Sequence, residues 1–93
     1  MSEAQIQKKI IEYLNRKGAY TLKTITTNRK GCPDVICCLN GLFVALEVKA
    51  QKGRVSQLQE YHIKEINKSG GVAAIVRSLE EVKQLLKEYI KEV

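Results

Sequence analysis

Apolar residues recur at helical spacing from the start of the chain at Ile6, Ile10, Tyr13 and Leu14, a series that Lys17 continues in spacing. The stripe predicts a helix over residues 2–17. Ser2 and Gln5 form a capping box at its start, and Met1 with Ile6 forms the matching hydrophobic staple. Gly18 supplies the stop. The period then shortens. YTLKTITT, residues 20–27, alternates and is rich in β-branched residues, which predicts a strand. NRKGCP follows as a basic loop with turn chemistry at Gly31 and Pro33. Two apolar runs come next, joined at Asn40-Gly41, a strong short-range signal for a two-residue hairpin turn. Ser56 and Gln59 make a second capping box, opening a helix through about residue 68 that Gly70-Gly71 ends. VAAIV, residues 72–76, reads as a short buried strand. Ser78 with Glu81 makes a third box, and Leu79, Val82, Leu86, Tyr89, Ile90 and Val93 stripe a final helix. The order αβββαβα predicts an α/β fold with a mixed (α+β) sheet. Its three early strands form an antiparallel meander, and a crossover brings in the fourth.

The hairpin carries ionisable groups where strand cores rarely hold them. With Asn40 and Gly41 as the loop, Leu39 faces Leu42, Cys37 faces Val44, and Asp34 faces Glu47. The last is a non-hydrogen-bonded pair, with Cβ atoms expected roughly 4.5–5.5 Å apart on one face. Lys49 falls on the same face as Glu47, about 7 Å further along. Two like charges so placed repel, and a divalent cation with hard oxygen ligands, magnesium or manganese, would relieve them. Apolar residues on both faces of 42–46 make this strand central, so Glu47 is expected to be partly buried. The plainer reading is that Glu47 and Lys49 are solvated strand-end residues and Asp34 a turn residue after Pro33.

Charge sharpens this picture. The net charge is +6, which favours an acidic partner, nucleic acid foremost. Arg29 and Lys30 lie in the loop leading to Asp34, and Lys52 and Arg54 in the loop leaving Lys49. The antiparallel hairpin puts both loops at one end of the sheet, where they suit phosphate contacts that position a backbone without reading sequence. A merely solvated charge cluster is the alternative. With only Phe43 and four tyrosines as aromatics, a base-stacking platform is not expected. Glu3 lies one turn before Ile6, where it either faces a metal from the first turn or complements the helix dipole. Gln59 has its capping role, and His62, the sole histidine, falls in a helix centre suited to packing.

The length of 93 residues points to one small domain, residues 1–93, with a limited core, so a homodimer is expected. No apolar run reaches membrane-span length, and MSEAQIQKK lacks the apolar core of a secretion signal, so the expected location is cytoplasmic. Cys32, Cys37 and Cys38 show no repeated C-x-x-C spacing, which argues against a disulfide framework or zinc site and for small apolar core residues.

Pro33-Asp34 followed by Glu47-Val48-Lys49 resembles the PD-(D/E)XK nuclease superfamily, whose core is restriction-endonuclease-like. Glu3 in the first helix, Gly31-Cys32-Pro33-Asp34, Glu47-Val48-Lys49, and Lys52-Gly53-Arg54-Val55-Ser56 leading to Gln59 narrow the likeness. Together they resemble the virus-type replication-repair nuclease (VRR-NUC) family, in the form of a small stand-alone phage member. The resemblance implies a structure-selective DNA endonuclease using Mg2+ or Mn2+ and no small-molecule cofactor. It implies a homodimer similar to Holliday-junction resolvases, in a phage or its bacterial host cell. By the same resemblance Asp34, Glu47 and the Val48 carbonyl bind the metal, with Glu3 joining directly or through water. Lys49 polarises the attacking water, and Gln59 supports the site. The competing readings are a non-catalytic DNA-binding module of the same fold, a nuclease acting on flaps or plain duplex, and an oligomeric structural protein with an incidental basic face.

Overall fold

The computed structural model describes residues 1–90. Its elements are α1 (Glu3–Arg16), β1 (Tyr20–Lys23), β2 (Val35–Leu39), β3 (Leu42–Val48), α2 (Gln57–Lys68), β4 (Val72–Val76) and α3 (Leu79–Leu85). The four strands form one sheet in the order β1-β2-β3-β4. β1, β2 and β3 are antiparallel neighbours, and β4 runs parallel to β3 after the α2 crossover. The mixed α+β architecture and the element order are those that the hydrophobic pattern predicts.

Helices α1 and α2 open on complete capping boxes. Ser2 and Ser56 accept the backbone N–H of Gln5 and Gln59, whose side chains accept the cap residues' own N–H in return. The third box is incomplete. Ser78 Oγ accepts the Glu81 N–H, but the Glu81 carboxylate reaches past the cap to the Arg77 N–H at 3.0 Å. α3 is also shorter than its stripe predicts. After Leu86 the chain tightens, the Tyr89 N–H bonding to the Leu86 carbonyl at 2.9 Å. This i→i+3 closure ends the regular helix and leaves Tyr89 exposed. Val93, the last residue of the stripe, lies outside the described residues.

β1 stops at Lys23 although alternation continues to residue 27. Its register against β2 pairs Lys23 with Val35. Thr24 takes one more step, its N–H donating to the Asp34 carbonyl at 2.8 Å. The next position, Ile25, would face Pro33 as a non-hydrogen-bonded pair, and there the chain departs.

Alternation along the strands sorts the residues into two faces. Val35, Cys37, Leu39, Val44, Leu46, Val48 and Val76 point to one face and meet Ile6, Ile10, Tyr13 and Leu14 of α1 and Val82 and Leu86 of α3. Among the described residues this is the hydrophobic core. On the opposite face α2 covers β3 and β4, burying Ala45, Ala73 and Glu47. The cysteines divide. Cys37 is in the core, where burial pushes its thiol up to about 11. Cys32 is half-buried and Cys38 exposed, so only one of the three is the buried apolar residue expected. Among the described residues no helix is long and apolar enough to cross a membrane.

Candidate active site

The β2–β3 register is Leu39↔Leu42, Cys37↔Val44 and Val35↔Leu46. It carries Asp34 and Glu47 to one face at the open end of the hairpin, as the two-residue turn requires. Pro33 ends the ladder here, so the strand pair opens and Asp34 occupies the gap. The Asp34 Oδ2 accepts the Val48 N–H at 3.0 Å. In a strand the N–H and C=O of one residue face the same neighbour. The Val48 carbonyl is therefore turned to the Asp34 side as well.

Glu47 is the second ligand candidate and is only 2 % exposed. Its Oε2 accepts the Gln59 side-chain amide at 3.1 Å and lies 3.5 Å from the Lys49 ammonium. Its Oε1 is buried with no hydrogen-bond partner. Burial pushes the Glu47 carboxyl up to about 7, helped by the negative charge of Asp34 and opposed by Lys49. The two carboxyls thus lie close enough for the charge of one to disfavour the charge of the other.

These donors fit a hard divalent cation. They are oxygen ligands with excess negative charge, one oxygen is buried and unsatisfied, and a backbone carbonyl lies alongside. Among the described residues two side chains, Asp34 and Glu47, offer such oxygens here. Among the described residues no group of three His, Cys, Asp or Glu is placed to hold a metal. Glu3 is exposed on the first turn of α1 and is not gathered into a three-side-chain cluster with Asp34 and Glu47.

Gln59 fills two roles at once. Its side-chain oxygen accepts the Ser56 N–H at 2.9 Å while its nitrogen holds Glu47. The capping role and the supporting role expected of it are one hydrogen-bonded chain, from helix cap to carboxylate.

The basic loops flank this centre. Arg29, Lys30, Lys52 and Arg54 are all exposed. An open groove of about 380 Å3 runs beside Asp34, lined by Thr24, Ile25, Arg29 and Lys30 among others. A larger cleft of about 730 Å3 opens between α1 and α3, lined by Tyr13, Glu80 and Lys83. It lies away from the acid pair, so size does not mark the site.

Thr24, His62 and Arg77, to which the pattern gave no role in the site, hold its frame. Thr24 Oγ1 donates to the Pro33 carbonyl at 2.8 Å and, more weakly, to that of Asp34 at 3.2 Å. Buried His62 places Nε2 at 2.8 Å from the Lys30 carbonyl. A carbonyl can only accept, so this nitrogen carries the proton and ties the first basic loop to α2. Gly31 lies against the same helix with positive φ, and a Cβ there would meet Leu58 at 2.7 Å. Arg77 Nη1 donates to the carbonyls of Ala50, Gln51 and Gly53 at 2.6, 3.2 and 2.9 Å, fixing the second basic loop. No local motif signals these contacts. Each joins segments far apart in the chain.

A mixed sheet that opens onto two carboxylates and a lysine beside a capped helix is the arrangement that the resemblance to PD-(D/E)XK nucleases implies. The VRR-NUC domain family matches residues 1–80, and the chain belongs to this family of nuclease domains. Solved structures agree on the fold. One described as a VRR-NUC domain shares 24% identity at a TM-score of 0.80, covering 96% of this chain and 99% of its own. Another, a VRR-NUC domain protein, shares 16% identity at a TM-score of 0.79, covering 97% of this chain and 88% of its own. No curated protein sequence matches the chain.

Proposed function

We propose that the protein is a Mg2+- or Mn2+-dependent endodeoxyribonuclease that cuts branched DNA, with a Holliday-junction resolvase-like activity as a homodimer. The observation that carries this reading is Glu47. A buried carboxylate with an orphaned oxygen, facing a second carboxylate, is costly in a fold that has no use for a cation.

When bound, a divalent cation supplies charge against the phosphate oxygens and lowers the pKa of a water. Asp34, Glu47 and the Val48 carbonyl would hold it. Asp34 keeps one oxygen on the Val48 N–H, which fixes its plane and leaves the other free. Gln59 holds Glu47 through Oε2, which leaves Oε1 as the oxygen without a hydrogen-bond partner. Lys49, a compact point charge, favours deprotonation of the attacking water and offsets negative charge developing on the phosphate. Glu3 would join through a water from the first turn of α1. The exposed Arg29, Lys30, Lys52 and Arg54 would contact flanking phosphates. The products, by family analogy, are a 5′-phosphate and a 3′-hydroxyl. A four-way junction needs two nicks and one domain offers one site, so a two-fold pair serves the reaction.

The test is a panel of labelled four-way, flap, fork and linear DNAs with Mg2+ or Mn2+ and an EDTA control, alongside size measurement in solution. Metal-dependent cutting that prefers branched DNA, by a protein of dimer mass, is expected. Salt-sensitive binding with no cutting under any metal would turn the assignment to a non-catalytic DNA-binding module. Equal cutting of linear duplex would remove the branched-DNA preference.

A further inference from the structure

A single exposed apolar side chain is ordinary on a protein surface, but three observations set Ile25 apart. It is 92% exposed, more than any other large apolar residue described as exposed. It sits where a strand pattern is broken: alternation would continue β1 through this residue, yet the ladder ends one step before it. Its neighbour Thr24 is fixed to the Pro33 and Asp34 carbonyls by three hydrogen bonds. Ile25 is therefore held one residue away from a segment locked to the proposed metal ligand. It lines the groove that contains Asp34, together with the basic side chains of Arg29 and Lys30.

The charge around it selects a polyanion, and an apolar tip offered to a polyanion needs an apolar surface within that partner. Beyond the small patches of thymine methyls and sugars, the large apolar surface of nucleic acid lies between its bases. In intact duplex the bases are stacked out of reach. At a branch point, nick or kink they are partly exposed, and apolar wedges enter such steps in DNA-bending proteins. We propose that Ile25 is a wedge that inserts into the base stack at a branch point, so that the protein favours branched over continuous duplex DNA. The proposal rests on the endonuclease reading for its effect on cutting, but not for its effect on binding.

Two measurements test it, both on the full chain. Because Ile25 is solvated, Ile25→Ser and Ile25→Leu leave packing untouched. In the first, each variant cuts a four-way junction and a linear duplex of equal length with Mg2+. Ile25→Ser is expected to lower junction cutting at least about tenfold, since opening a base step is worth more than one power of ten. Duplex cutting and the salt slope should stay unchanged, and Ile25→Leu should retain the preference. In the second, 2-aminopurine beside the branch point reports unstacking on binding in an Asp34→Asn background. Fluorescence should rise with Ile25 and not with Ile25→Ser. Equal losses on both DNAs, or no change in either measurement, overturn the wedge. If the unaltered protein cuts no DNA at all, the endonuclease reading fails, and the fluorescence measurement alone decides the wedge.

Discussion

At its closed end the β2–β3 hairpin turns on Asn40 and Gly41, both with positive φ, 51° and 84°. That is what a type I′ turn demands and what these two residue types supply. At its open end the same two strands part at Pro33 and set Asp34 against Glu47, with Glu47 at 2 % exposure. One end satisfies every local preference and does no chemistry. The other keeps a buried acid pair with an unsatisfied oxygen and gathers the lysine, the amide and the basic loops. A fold consistent elsewhere tolerates such a conflict where function requires it. The rigid turn makes the costly end possible, because a one-residue slip in register would send Glu47 to the opposite face.

The largest expected break in this contrast comes from Asp34. Asp34→Asn keeps an acceptor for the Val48 N–H but removes the charge. Loss of Lewis-acid placement worth several kcal/mol corresponds to about a thousandfold or more in cutting rate. Single-turnover cleavage with Mg2+ or Mn2+ measures it, and circular dichroism should show an unchanged fold. A variant that cuts within tenfold of the parent would detach Asp34 from the reaction.

Glu47 gives the next effect, and its sign is opposite for stability. The native carboxyl titrates near 7 against an ordinary value of 4.5. Between those values the folded protein holds a proton that the unfolded chain has lost. Metal-free stability should therefore fall as pH rises from roughly 4.5 to 7, by about 3 kcal/mol in all, and stay low above that. Glu47→Gln should flatten this dependence and make the metal-free protein more stable at pH 8, while abolishing cutting. Denaturant melts in EDTA across pH 5–8 check the slope. Adding Mg2+ at pH 8 should raise the melting temperature of the parent and not of the variant.

How much of this end could be read from the chain depends on distance along it. The acid pair followed from counting outward from Asn40-Gly41, because strand alternation is strict. Both complete capping boxes, the central place of β3 and the α2 crossover were legible for the same reason: each rests on spacing within one element or one turn. The early end of β1 was not, because there Thr24 is tied to the carbonyls of Pro33 and Asp34, which are not beside it in sequence. The short α3 and the reach of Glu81 to Arg77 were missed where a local rule had several geometries to choose from. His62, Thr24 and Arg77 act through backbone carbonyls of remote segments, and no residue pattern encodes which carbonyl a side chain will meet. Glu3 shows the converse, a residue placed by family likeness that the fold leaves exposed at the start of α1.

The two capping boxes sharpen the comparison at a smaller scale. Ser2–Gln5 and Ser56–Gln59 have nearly the same hydrogen bonds, with cap N–H to glutamine oxygen at 2.8 and 2.9 Å. Only Gln59 goes on to donate to a buried carboxylate. Glutamate serves a capping box as well as glutamine, so Gln5→Glu should change neither melting temperature nor cutting. Gln59→Glu keeps the cap but sets a third carboxylate against Glu47. It should reduce cutting about 10–100-fold, the range for partners that orient metal ligands. The loss should appear in the Mg2+ concentration needed for half-maximal rate, which a purely structural role for Gln59 would not move.

The smallest effect belongs to the closed end. At Gly41 an added Cβ would meet nothing within 4 Å, so Gly41→Ala costs only the backbone strain of holding an L-residue at φ +84°. That is about 1–2 kcal/mol, and for a domain of this size each kcal/mol lowers the melting temperature by roughly 4–8 °C. The register is pinned by the buried faces of both strands as well as by the turn. The acid pair should therefore keep its geometry, and cutting at 25 °C should equal that of the parent. A thermal melt and a cleavage rate on one preparation settle the point. If Gly41→Ala loses activity in step with stability, the turn controls the active end by more than register, and the two ends of the hairpin are coupled.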